Sequence, residues 1–224
     1  MTLGDLLIET KKDSYHHGDL KKALLEAGLA LLREKGANNF SLRELSRRAG
    51  VSQTAPYRHF SDRSDLLAAL AENGFRSLSG SIRHSLAGAS GDPAERLSVI
   101  ARSYVRFAVD NRDLYRLLFS AHISQEIYET HPGLHEAASE SFAILTEEII
   151  RAQEKGMFRP DPPLEMGIVC WSTVHGLASL LIEGQLVSCP QWELPETMTD
   201  PDQVVLKATE LLFEGMRLSG RSLS

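Results

Sequence analysis

The 224-residue sequence predicts an all-α protein, with an N-terminal three-helix unit that contains a helix-turn-helix and a larger helical body behind it. Three observations carry this. Apolar residues recur at spacings of three and four along successive segments, those segments are bounded by capping sequences, and no stretch longer than a few residues alternates like a strand. There are no internal repeats or low-complexity tracts. The reading divides the chain into an arm (residues 1–14), a small helical domain (15–75) and a body (76–220).

Taken in order, the arm has neither the basic start nor the apolar core of a signal peptide. From Asp19, the residues Leu20, Leu24, Ala27 and Leu31 define an amphipathic helix that ends at Gly36. Ser41 and Glu44 fit a capping box, and Phe40 and Leu45 stand where a hydrophobic staple would close. The helix that starts there is short and stops at Gly50, which can take the left-handed conformation that turns the chain. Ser52 is expected to cap a second helix, on which Gln53 with Tyr57 and Thr54 with Arg58, four apart, would form one polar face suited to the major groove. Ser61 is read as the start of a long helix carrying Leu67, Leu70, Phe75, Leu78 and Ile82 out of the small domain into the body.

The body opens at Asp92-Pro93-Ala94-Glu95, which has the cap, the proline and the carboxylate of a helix start. Leu97, Ile100, Tyr104 and Phe107 share one side of that helix, and an aromatic segment, Leu114 to Phe119, follows. His131-Pro132 opens a helix through Leu134, Ala138, Phe142, Leu145 and Ile149 to Lys155-Gly156. A helix from about Pro163 to Gly184 is read as buried. A last one follows the Asp200-Pro201-Asp202-Gln203 cap through Val204, Ala208, Leu211, Leu212 and Met216.

Charge is divided unevenly along the chain. The formal net charge is -6, yet residues 1–74 hold eleven Lys and Arg against ten Asp and Glu, leaving thirteen against twenty elsewhere. From Ser41 to Arg63 there are five arginines (43, 47, 48, 58, 63) against Glu44 and Asp62. A locally basic helix-turn-helix on an acidic body suits duplex nucleic acid contacted by the small domain alone. Cys170 and Cys189 have neither the number nor the spacing of a zinc site or a disulfide framework, which points to a reducing cytoplasm. The apolar stretch Met166 to Ile182 is broken by Ser172, Thr173, His175 and Ser179 and falls short of a membrane span. His131 and His135 are four apart but lack a third ligand, so no metal is expected. No nucleophile elbow or phosphate-binding glycine loop occurs, which leaves an enzyme reading without residues.

Two stretches resemble a known family. YHHGDLKKALLEAGLALLREKG through YRHFSDRSDLLAAL, with Lys35-Gly36, Ser41, Ala49-Gly50-Val51-Ser52, Tyr57, His59-Phe60 and Leu66 in that order, resembles the DNA-binding domain of the TetR/AcrR family of bacterial transcriptional regulators. Trp171-Ser-Thr-Val-His175-Gly176 is similar to the Trp…His-Gly pattern of one subgroup's C-terminal domain. Pro56 departs from the family pattern, standing where many members carry leucine or isoleucine.

The resemblance implies a homodimeric, ligand-responsive transcription factor, usually a repressor, on a pseudo-palindromic double-stranded operator. By position it gives Ser41, Tyr57, His59 and Arg63 to phosphates, and Arg43, Gln53, Thr54, Ala55 and Arg58 to base edges or thymine methyls, with Ser52 counted in the same DNA-contacting set. Lys11 and Lys12 of the arm either touch the duplex or form a solvated tail. The dimer interface is expected on the last two helices, with Leu212 among its contacts. Tyr104, Phe107, Tyr115, Phe119, Phe142, Trp171 and His175 suit either an ordinary core or a cavity for a small, mostly apolar effector; no cofactor is expected. The alternative is an architectural or division-linked DNA binder without a ligand switch.

Overall fold

A computed structural model of the chain describes residues 17–186 and 200–217. The arm with Lys11 and Lys12, and Cys189, lie outside the described residues. Among those described there are nine α-helices, one 3₁₀ turn and no strand, apart from a single bridge between Phe158 and Arg217.

The head consists of α1 (His17–Lys35), α2 (Leu42–Ala49) and the first turns of α3 (Arg63–Ala87). Local chemistry places each end. The Ser41 hydroxyl accepts from the Glu44 N–H at 3.3 Å, and Gly50, at φ 68°, closes α2 with its N–H on Arg47 and Ser46 carbonyls. Leu24, Leu31, Leu32, Leu45, Phe60, Leu66 and Leu70 are buried between these helices. α3 begins two residues later than Ser61. Asp62 is the cap, accepting from the Asp65 N–H at 2.9 Å, while the Asp65 carboxylate accepts from the Ser61 N–H at 2.8 Å. This reciprocal pair fixes the joint between the 3₁₀ turn and α3.

The body comprises α4 (Pro93–Asp110), α5 (Arg112–Leu118), α6 (Gln125–Thr130), α7 (Pro132–Glu154), α8 (Pro163–Ile182) and α9 (Pro201–Met216). Asp92 and Asp200 cap α4 and α9 as their sequences predict. The aromatic segment is a helix of its own, α5, set off from α4 by Asn111, whose side-chain amide donates to the Phe107 carbonyl at 3.1 Å. α6 has no counterpart in the sequence reading, although the Ser124 hydroxyl caps it by accepting from the Ile127 N–H. α3 runs without a break across the expected boundary at residue 75 and packs most extensively on α7 and α4, while α4 also packs on α8 and α9. Gly74 allows α3 to meet α5, since a Cβ there would lie 2.8 Å from Leu118 Cδ2. Glu148, 3% exposed, accepts two hydrogen bonds from Arg96 at 2.8 and 2.9 Å and a third from Arg151 at 2.8 Å, so this buried carboxylate is charge-compensated.

α8 is apolar and long enough to cross a membrane by length and composition alone. It packs instead on α4, α7 and α9. It is not the fully buried helix its composition suggests: Leu164 is 60% exposed and Ile168 48%, and Val169 and Leu180 are also exposed. On α9 the apolar stripe continues with exposed Leu211 and half-buried Ala208 and Leu212.

Candidate functional site

Between Gly50 and α3 the chain forms a compact exposed turn, not the second α-helix expected from Ser52. Only Pro56–Arg58 is helical, and it is 3₁₀. The cause is Pro56. It has no N–H to give the Ser52 carbonyl, and most of the bonds that form are of the i to i-3 kind: Ala55 N–H to Ser52 O at 3.0 Å, Arg58 N–H to Ala55 O at 3.2 Å, His59 N–H to Pro56 O at 2.9 Å; a single i to i-4 bond, Phe60 N–H to Pro56 O at 2.9 Å, follows the proline. Ser52 therefore does not cap a helix; its hydroxyl pairs with that of Thr54 at 3.3 Å. Residues four apart no longer share a face as they would on an α-helix. Pro56 and Phe60 are buried and pin the turn to the head, while Ser52, Gln53, Thr54, Tyr57 and Arg58 are exposed and Ala55 and His59 half-buried.

The five arginines from Ser41 to Arg63 fall into three groups. Arg43 and Arg58 are exposed and enter no ion pair among the described residues. Arg48 is committed to Glu34 through a bidentate pair, one arm at 2.7 Å, and Arg47 reaches Glu44 at 3.3 Å. Arg63 is half-buried, its guanidinium 6.0 Å from the Phe40 ring centroid, with Nε and Nη2 buried and without a hydrogen bond. Ser41 is exposed beside the start of α2.

Inside the body lies a cavity of about 660 Å³. Phe75, Leu78 and Ile82 of α3 line it together with Leu97, Ile100 and Tyr104 of α4, Phe142 of α7, Trp171 of α8 and Leu212 of α9, and Phe119 and Tyr128 lie on the wall too. Among the described residues no charged side chain lines it. Of the seven residues expected there, Tyr104, Phe119, Phe142 and Trp171 are on the wall. Phe107, Tyr115 and His175 are not: Phe107 is packed in the core, and Tyr115 and His175 stack behind Tyr104 with ring centroids 5.6 Å apart. Tyr128 lines the cavity and was missed. Leu212, expected at the dimer interface, is half-buried and also faces the cavity.

A hydrogen-bonded cluster backs the wall. Trp171 Nε1 donates to the Tyr104 hydroxyl at 3.2 Å; Tyr104 and Tyr115 hydroxyls lie 3.2 Å apart and approach His175 Nδ1 at 3.0 and 2.7 Å. Burial pushes both tyrosines up from their ordinary pKa and His175 down, so all three are neutral near pH 7. His131 and His135 do not pair: His131 Nε2 meets Asp65 Oδ1 at 3.2 Å, joining the body to the first turn of α3, and His135 packs against Tyr128. Among the described residues no three His, Cys, Asp or Glu side chains are gathered for a metal.

Comparison with known proteins matches the chain in two stretches. Residues 24–70 match the family described as bacterial regulatory proteins, tetR family, and residues 97–200 match the tetracyclin repressor-like C-terminal domain. An uncharacterized HTH-type transcriptional regulator of Haemophilus influenzae is 36% identical over 103 residues, 44% of this chain and 48% of the relative, so the match spans about half of that protein's length. A solved protein of unknown function from Rhodococcus sp. RHA1 is 31% identical, with a TM-score of 0.78 over 92% of this chain and 100% of that one. The fatty acid degradation regulator FadR from Bacillus halodurans, 17% identical, shares the fold, with a TM-score of 0.68 over 88% of this chain and 100% of its own. With the head and most of the body each matched by its own family, this chain belongs to the TetR family of bacterial transcriptional regulators and is a DNA-binding regulator, not an enzyme.

Proposed function

We propose that the protein is a ligand-responsive repressor that binds a pseudo-palindromic operator as a homodimer in the cytoplasm, with a small, mostly apolar molecule as its effector and no cofactor. The observation that carries this reading is the path of α3. It starts at the reading turn and its Phe75, Leu78 and Ile82 form a wall of the cavity, so one rigid element touches both places. A ligand that fits the cavity in only one position of α3 shifts the population of head positions by its differential affinity for the two states.

In this reading Ser41, Tyr57, His59 and Arg63 approach phosphates, Arg43, Gln53, Thr54, Ala55 and Arg58 approach base edges or thymine methyls, and Ser52 belongs to the same DNA-contacting set. The exposed apolar stripes of α8 and α9 supply the interface for a second copy, in keeping with a closed two-fold assembly. Selection of bound duplexes from a random pool, at two salt concentrations and with and without a panel of neutral apolar compounds, tests the reading. The expected result is a two-fold-symmetric consensus, affinity that falls steeply with salt, and release by some members of the panel. Recovery of unrelated sequences, insensitive to every compound, would favour an architectural DNA binder and overturn the switch.

A further inference from the structure

Nearly every polar side chain on the cavity wall already has a partner. The Ser141 hydroxyl pairs with Ser79 at 2.6 Å; Thr146 and Thr209 donate to carbonyls of their own helices at 3.1 and 2.9 Å; and Trp171 and Tyr104 are tied into the cluster with Tyr115 and His175. Tyr128 differs. It lies half-buried on α6, its ring held edge-on by His135 at a centroid distance of 6.3 Å, and its hydroxyl meets no protein hydrogen-bonding group among the described residues. Burial raises its pKa, so it remains a neutral phenol able to donate and accept. Among the described residues the one other uncommitted wall hydroxyl, Ser139, is exposed.

We infer that Tyr128 is the polar anchor of the effector site, and that it selects a neutral, largely apolar molecule carrying one hydrogen-bonding oxygen such as a carbonyl. This rests on the reading of the cavity as the effector site. Among the described residues an anionic ligand finds no cation on the wall and would leave its charge uncompensated, whereas a single neutral oxygen meets one hydroxyl that lacks a partner among them. The anchor is also well placed for regulation. Tyr128 is three residues from His131, which contacts Asp65, and Asp65 in turn holds the Ser61 N–H at the end of the reading turn.

The test uses the full chain, the fluorescent ketone prodan, and the prodan analogue whose carbonyl is replaced by a methylene. Tyr128→Phe removes only the hydroxyl. It is expected to weaken prodan binding about three- to tenfold, to shift bound-prodan emission to the blue, and to leave the methylene analogue within about twofold of the parent. Equal affinity of parent and Tyr128→Phe for prodan, or equal losses for both probes, would overturn the anchor. Ala138→Trp, which fills the cavity from α7, separates the two claims. If it abolishes binding of both probes while Tyr128→Phe changes neither, the cavity stands and the anchor falls. If both probes bind Ala138→Trp as they bind the parent, or bind the parent not at all, the cavity reading falls and the anchor with it.

Discussion

The head and the body treat polar side chains in opposite ways. On the reading turn Gln53, Thr54, Tyr57 and Arg58 project into solvent, and the turn is held by buried Pro56 and Phe60 from below. On the cavity wall, polar groups are tied to protein partners and, among the described residues, only Tyr128 and Ser139 are left over. The difference follows from what each surface faces. A surface that exchanges water and counterions for phosphates and base edges works with uncommitted donors over a firm base. A cavity that receives an apolar molecule must satisfy its own polar groups, because each one left bare in a dry site costs about 1–3 kcal/mol.

Introducing a charge tests this contrast most severely. Leu211, 59% exposed on α9, sits on the proposed dimer stripe, and it is a cleaner probe than Leu212, which also faces the cavity. Leu211→Glu is expected to strand a carboxylate in an apolar contact at a cost of several kcal/mol, converting dimer to monomer by light scattering and abolishing tight operator binding. A dimer of parent stability in that variant would remove α9 from the interface. Next in size, Arg58→Ala should weaken operator binding by about 1–3 kcal/mol and relax discrimination at one position, with thermal stability almost unchanged. Arg48→Ala, already engaged by Glu34, should lose much less on DNA. Equal losses for Arg48 and Arg58 would break the distinction between committed and uncommitted arginines.

The smallest effect concerns His175. Burial depresses its folded-state pKa below the ordinary 6.5, so the unfolded chain takes up the proton first as the pH falls. Its contribution to stability is therefore complete above about pH 6.5 and declines below it, by at most about 1.4 kcal/mol per pH unit, until the folded histidine titrates too. Urea midpoints between about pH 7.5 and 5.5 should fall more steeply for the parent than for His175→Phe. Parallel lines would mean that His175 is not desolvated in the folded state.

Element ends were legible wherever one residue's own chemistry decides them: Ser41, Asp92 and Asp200 cap through their side chains, and Gly36, Gly50 and Gly156 take positive φ. The reading turn was less legible, because the arrangement of Gln53, Thr54, Tyr57 and Arg58 depends on which hydrogen bonds survive Pro56. The cavity was legible only in part. Trp171 and His175 stand one helical turn apart, yet the first faces the cavity and the second packs on Tyr115 and Phe119. Periodicity groups residues on a face but does not say where along that face a void ends. Tyr128 escaped because α6 is six residues long, too short for a periodic signal.

The continuity of α3 also has a mechanical meaning. Its 25 residues span about 37 Å, so a tilt of about 5° about its cavity end would carry the reading turn roughly 3 Å. In a two-fold pair the displacements are opposed, and the separation of the heads would change by about 6 Å against a groove repeat of about 34 Å. That is half the roughly 12 Å width of a major groove. An ångström-scale adjustment of Phe75, Leu78 or Ile82 around a bound molecule, too small to disturb the packing of the body, would be enough to take both reading turns out of register with the duplex.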